Sequence, residues 1–156
     1  MPPMNPSTDG MPDDPERGSA ALEFILVGLI LLVPLVYLVV SLGLIQGQTL
    51  GAEAGARHIA RSVSQAADAA SARTAAAGVL ASVVDEYGID ASTVDVAMEC
   101  VPAGASCPQA GATVVVTVRT RVALPLVPPV LGLDRLAGIP IEASSAQKVS
   151  RFWGSG

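Results

Sequence analysis

The chain has little of almost every residue that performs chemistry. Lys148 is the only lysine and His58 the only histidine in 156 residues, and the net charge is −5. Phosphate contacts need clustered Lys and Arg, so this balance argues against nucleic-acid binding. No phosphate-binding loop surrounds the lysine, and no side chain stands at a recognisable catalytic spacing from the histidine. We therefore expect a protein that is not an enzyme, with no small-molecule substrate and no cofactor.

Large rings and thiols are also scarce. Aromatic residues make up 3% of the chain, so any soluble core must be built from small aliphatic side chains. Cys100 and Cys107 are the only cysteines, and no partner ligands stand nearby, so we expect no metal site. In an oxidising compartment the two thiols are a candidate disulfide. Closing so short a ring would contribute roughly 2.5 kcal/mol.

One long apolar run dominates what is present. Residues 24–45 read FILVGLILLVPLVYLVVSLGLI and carry no charge. As a helix they extend about 33 Å, which is enough to cross a hydrocarbon core of about 30 Å. The alternative is a buried core helix, but uncharged apolar runs of this length are typical of membrane spans. Pro34 inside the run is a defect that membrane helices tolerate.

The flanks of this run differ in character. Residues 1–18 are rich in proline and acids and almost devoid of apolar side chains, which predicts an unfolded leader. Beyond the run, helix formers continue without proline, so we expect one helix over 19–65 whose last turns extend into water. Four glycines recur there every fourth residue and form a ridge that another helix can approach closely. The alternative is that they reflect only an Ala- and Gly-rich composition. The ridge residues are Gly43, Gly47, Gly51 and Gly55.

The remainder, 66–156, predicts a small α+β domain. Apolar residues at helical spacing indicate a second helix over about 68–87, with Asp68 or Ser71 as the N-cap and Gly88 as a left-handed C-cap. From Thr93 the period changes to two, which predicts an antiparallel hairpin and, from about 139 to 149, a third strand. We expect both helices on one face of this three-stranded sheet. Residues 124–133 predict an apolar, proline-broken loop, and the terminal RFWGSG predicts either a disordered end or a Trp153 contact with membrane or subunit.

The hexapeptide GSAALE at 18–23 stands directly before the apolar run. It resembles the class III signal sequence of type IV pilin-like proteins, which a membrane-embedded prepilin peptidase cuts after glycine, leaving glutamate as the fifth mature residue. Over about 17–61, RGSAALEFILVGLILLVPLV and the later GAEAGARHIA are similar to TadE-like minor pseudopilins of the tight-adherence (Flp) pilus and secretion system. The resemblance implies cleavage between Gly18 and Ser19. It also implies partnership with the peptidase, with other pilins or pseudopilins, and with the pilus assembly machinery.

Glu23 has a physical role in this interpretation. After cleavage, the Ser19 amine is cationic and the carboxylate lies one helical turn away at the membrane edge. A carboxylate in hydrocarbon costs around 2.5 to 3.5 kcal/mol, so it should pair with that amine or with the amine of a neighbouring subunit. The alternative is a charged flank that the helix dipole favours, and the Gly18-to-Glu23 spacing argues for the paired role.

The resemblance implies a single-pass protein of the cytoplasmic membrane with 66–156 outside, in or at the base or tip of a pilus. The positive charges beside the span favour the opposite orientation, because the cytoplasmic side usually has more Lys and Arg. Arg17 is the only base before the span, whereas Arg57 and Arg61 follow it within about 16 residues. The second hypothesis is a signal-anchored envelope protein whose soluble domain binds a ligand, with Gly18 and Glu23 coincidental. The residue at the mature N-terminus distinguishes the two.

Overall fold

The computed structural model describes residues 17–104, 106–126 and 138–153, with side chains from residue 21 onward. The protein is α+β, and the chain divides into two compact units, the first ending at Val39 and the second beginning at Val40. In chain order the helices and strands are α1 (Arg17–Gln65), α2 (Ala69–Tyr87), a 3₁₀ turn (Ala91–Thr93), β1 (Asp95–Val101), β2 (Thr113–Val122) and β3 (Ile139–Lys148).

The first unit consists, in its described part, of α1 up to Val39. Its large apolar side chains are exposed throughout, with Phe24 80% and Leu31 66% accessible. Among the described residues, α1 is the one helix long and apolar enough to cross a membrane, by length and composition alone. Pro34 lies inside it without ending it. The predicted helix and its end near Ser64 are confirmed, and such a helix suits a transmembrane or signal-anchor segment.

The last turns of α1 belong to the second unit and form the centre of its core. Five of their side chains are fully buried: Ala52, Ala56, Ile59, Ala60 and Val63. They recur at helical spacing and face the sheet, since they share one core cluster with the strands. These turns pack on the sheet together with α2, which confirms the expectation that both helices lie on one face of the sheet.

Helix α2 has both of the end signals that its sequence contains. Asp68 is the N-cap: its Oδ1 accepts the Ser71 amide at 2.7 Å, while the Ser71 hydroxyl accepts the Asp68 amide at 3.1 Å. The two candidate caps thus act together as a reciprocal capping box. Gly88 ends the helix in the left-handed region at φ 60°, which glycine adopts without a Cβ penalty. The apolar stripe of α2 faces the core, with Ala72 and Val83 buried.

The sheet is antiparallel in the order β1-β2-β3, which confirms the predicted hairpin and third strand. Strand β2 is central and alternates strictly, because its even-numbered residues from Val114 to Val122 are buried and its odd-numbered residues face outward. Thr120 is the polar member of the buried row, and its hydroxyl lies 3.0 Å from that of Thr93. Both helices supply residues to the core that covers this inner face.

The apolar loop and the C-terminal segment are described only in part. The apolar loop over 124–133 lies outside the described residues from position 127 on, as do most of the leader and the final three residues. Trp153 is half-buried and packs against the core cluster. The ring therefore covers apolar surface of its own domain, a contact that the sequence did not indicate.

Candidate functional site

The head of α1 contains the residues that the sequence singles out for processing. The described part of α1 starts at Arg17, so the peptide bond between Gly18 and Ser19 lies within the helix. Glycine is about 1 kcal/mol less favourable than alanine in a helix. Gly18 is therefore a locally unfavourable residue in this part of α1.

Glu23 follows Ser19 by four residues, one helical turn further along α1. Its side chain is exposed. No cation pairs with it among the side chains that the structure describes, because the ion pairs there all involve Arg119. Glu23 is thus an exposed acid near the start of an apolar helix, without an ion-pair partner among the described side chains.

The four ridge glycines separate into two pairs. A Cβ added at Gly51 would lie 2.7 Å from Cγ of Tyr87, and one at Gly55 would lie 3.4 Å from Cγ1 of Val83. Gly51 therefore lets α2 approach α1 closely within one chain, whereas a Cβ at Gly55 would make an ordinary van der Waals contact with Val83. Nothing in the described part of the chain lies within 4 Å of a Cβ built at Gly43 or Gly47.

The division follows from helix geometry. Each step of four residues turns about 40° further round an α-helix. Over three steps the ridge rotates from an open side of α1 at Gly43 to the side that meets α2 at Gly55. The close helix packing predicted from the ridge is therefore intramolecular at Gly51 and Gly55.

The two cysteines are joined in a disulfide, with Cα atoms 5.6 Å apart. Cys100 is buried near the end of β1, and Cys107 lies in the connection to β2. The bond therefore pins the loop between these strands, which is a structural role rather than a reactive one.

Charged side chains meet on the outer face of the sheet, where the strand register brings three of them into one row. Arg119 on β2 donates to Glu142 on β3 at 2.9 and 3.3 Å, and its guanidinium lies 3.9 Å from Asp95 on β1. The hydrogen bond to Glu142 raises the pKa of Arg119 above its usual value. All three groups are exposed, so the row adds little to stability. Alternation along β2 places Arg119 on this face, and the strand register determines its partners.

The row borders an open depression of about 480 Å³. Its carboxylates are occupied by Arg119, and no nucleophile stands beside a base among its lining residues. His58 is exposed on α1. Within the described part of the chain no group of His, Cys, Asp and Glu is placed to hold a metal ion.

Comparisons with models of protein families, with curated proteins and with solved structures found no match for this chain.

Proposed function

We propose that this protein is a minor pilin or pseudopilin that takes part in assembling a Flp-type, tight-adherence pilus or a related secretion system. The observation that carries the proposal is the spacing in GSAALE. A glycine and, five residues later, a glutamate stand at the head of a helix long and apolar enough to span a membrane. The role is structural, and the partners are other pilins or pseudopilins and the assembly machinery.

Maturation is hydrolysis of the bond between Gly18 and Ser19 by a prepilin peptidase. One water is consumed, residues 1–18 leave with a new carboxylate, and Ser19 keeps a free amine that is protonated at neutral pH. The glycine at this bond supports the proposal, since glycine weakens the helix that has to unwind to expose the bond.

Glu23 then pairs with a Ser19 amine, its own or that of a neighbouring subunit. Its exposure and its lack of a described cation support this role. An acid near hydrocarbon gains most from an amine that only cleavage produces. The contact sets the register of helices bundled side by side.

The protein is anchored once in the cytoplasmic membrane by the apolar part of α1, with residues 66–156 directed to the extracytoplasmic side. The disulfide between Cys100 and Cys107 supports this orientation, because disulfides persist in oxidising compartments. This disulfide argues against the orientation that the count of Arg residues on the two sides of the span favours, which is the opposite one.

The test compares Gly18→Ala with Gly28→Ala, both in the full chain expressed with its native envelope machinery. Gly28 lies in the same helix, and an added Cβ there would meet nothing within 4 Å. We expect the Gly28 variant to lose residues 1–18 and the Gly18 variant to retain them, as measured by the mass of the membrane-bound chain. Retention of residues 1–18 by both variants, or their loss from both, would contradict the proposal, and retention by both would favour the anchored envelope protein.

A third arm, Glu23→Ala, separates cleavage from assembly. We expect this variant to be cut like the native chain yet to be assembled poorly, measured by pilus yield. Normal piliation would remove the role of Glu23 while leaving the cleavage site in place.

A further inference from the structure

Strand β3 lies at an edge of the sheet, and no described strand or helix pairs with its outer side. We propose that this edge binds the same edge of a second copy of the chain, antiparallel and across a two-fold axis. The two three-stranded sheets then form one sheet of six strands. The proposal does not depend on maturation or on pilus assembly.

The hydrogen bonds of the sheet identify which backbone groups of β3 are free. The Val149 amide donates to the Ala112 carbonyl at 2.8 Å, next to the paired residues Thr113 and Lys148. Bonding residues alternate along an antiparallel strand, so the odd-numbered residues of β3 bond to β2 and the even-numbered residues point outward. Pro140, which has no N–H, stands at an outward position, where proline interrupts no ladder bond.

The outer edge of β3 is longer than that of β1. Four residues offer both N–H and C=O there, and all four are exposed: Glu142, Ser144, Ala146 and Lys148. The same alternation leaves three outward residues on β1, and the last of these, Cys100, is in the disulfide. An open run of strand groups is a template for pairing with another chain.

Charge selects both the partner and the register. Lys148 forms no ion pair with any residue that the structure describes. If Ser145 lies on the two-fold axis, Lys148 stands opposite Glu142 of the second copy, and the reverse pair forms by symmetry. Arg119 already bonds Glu142 in each copy, so Lys148 would join an existing pair as a second cation beside the carboxylate. Opposite charges directly across two strands stabilise the pairing.

The same register fits the backbone and the side chains between the charges. Ser144 pairs with Ala146 of the second copy, and these small side chains leave room for close approach. Every outward residue with an N–H finds a partner, and Pro140 falls outside the paired segment. Moving the axis to Ser144 would set Lys148 opposite Pro140 and leave its carbonyl without a donor.

Ser145 at the axis provides a direct test. There the two copies form a pair without mutual hydrogen bonds, with Cα atoms about 4.5 Å apart, within the range that a disulfide spans. We expect Ser145→Cys, in the full chain in detergent micelles under mild oxidation, to form a covalent dimer on a non-reducing gel. The matched control is Ser82→Cys, an exposed position on α2, for which we expect little dimer.

A second substitution in the Ser145→Cys background tests the strand pairing itself. Ala146→Pro removes an outward N–H from each copy and leaves the bonds between β2 and β3 intact, as Pro140 already does. Loss of two hydrogen bonds predicts about a tenfold or greater fall in dimer yield. Lys148→Glu, which places like charges together, should also lower it.

Unchanged circular dichroism and an intact Cys100–Cys107 bond would show that the Ala146→Pro variant still folds. The proposal is overturned if Ser145→Cys cross-links no better than Ser82→Cys. It is also overturned if a folded Ala146→Pro variant cross-links as well as its parent.

Discussion

At the scale of single residues, the glycines of α1 show how one spacing serves different purposes along a helix. Gly51 is tightly enclosed, because its added Cβ would lie 2.7 Å and 2.8 Å from Cγ and Cβ of Tyr87 and 3.1 Å from Ile89. The two Tyr87 atoms lie next to the backbone at the end of α2, where little movement is free. Gly47 stands one turn earlier with open space around it.

This contrast predicts opposite effects of the same substitution. Gly51→Ala should lower the free energy of unfolding by about 1 to 3 kcal/mol through overpacking, offset by a helix gain of up to about 1 kcal/mol. Gly47→Ala should show only the gain in helix propensity and should therefore raise the free energy of unfolding. Thermal unfolding of the full chain in detergent, followed by circular dichroism, measures both. If the two variants shift the midpoint in the same direction and by similar amounts, the close approach of α1 and α2 at Gly51 is wrong.

The sequence identified these glycines but not which of them meets α2. The four-residue spacing of the glycines predicts the ridge, and the slow rotation of the ridge around the helix follows from helix geometry. Which side of the rotating ridge is enclosed depends on where α2 returns, and that is a property of the folded domain. The same holds for Arg119, whose partners Glu142 and Asp95 are defined by strand register.

At the scale of elements, α2 was the easiest to predict because its signals are local. A capping acid, an apolar stripe and a following glycine stand in the order that helix ends require. Its N-cap also predicts a pH dependence. The hydrogen bond from the Ser71 backbone amide, followed by that from the Ser71 side chain, holds the pKa of Asp68 below its usual value.

A carboxyl group whose pKa is lower in the folded state contributes stability above the ordinary aspartate pKa, and this contribution disappears as pH falls through the lowered value. Acid should therefore lower the unfolding midpoint of the native chain through Asp68. Asp68→Asn caps a helix comparably but does not titrate, so it should lose less stability between about pH 5 and pH 2. Parallel losses in the two proteins would show that Asp68 does not contribute to the acid response.

Strands were predicted well where one face is uniformly buried. The strict alternation of β2 could be recognised because every even residue from Val114 to Val122 faces the core. The surroundings of the last turns of α1 were harder to predict. A stripe of alanine and isoleucine has the same sequence pattern whether it faces water, a partner or the sheet of its own domain. The 3₁₀ turn at Ala91–Thr93 was not foreseen, although Asp90 accepts the Ser92 amide at 2.9 Å, as a capping residue does.

At the scale of the whole molecule, the chain combines an exposed apolar helix with a small domain built on the end of that same helix. The burial of Trp153 belongs to this scale. It brings the chain end back to the core, and no local pattern encodes such a contact. Cleavage before Ser19 and pairing of Glu23 also belong to this scale, because both depend on the whole chain being placed in a membrane.

The most direct test of the account is the N-terminal residue of the native, membrane-associated chain, determined by sequencing or by the mass of its first peptide. The account predicts Ser19, with a free amine one turn from Glu23. Chains isolated from native envelopes that still carry residues 1–18 would contradict it.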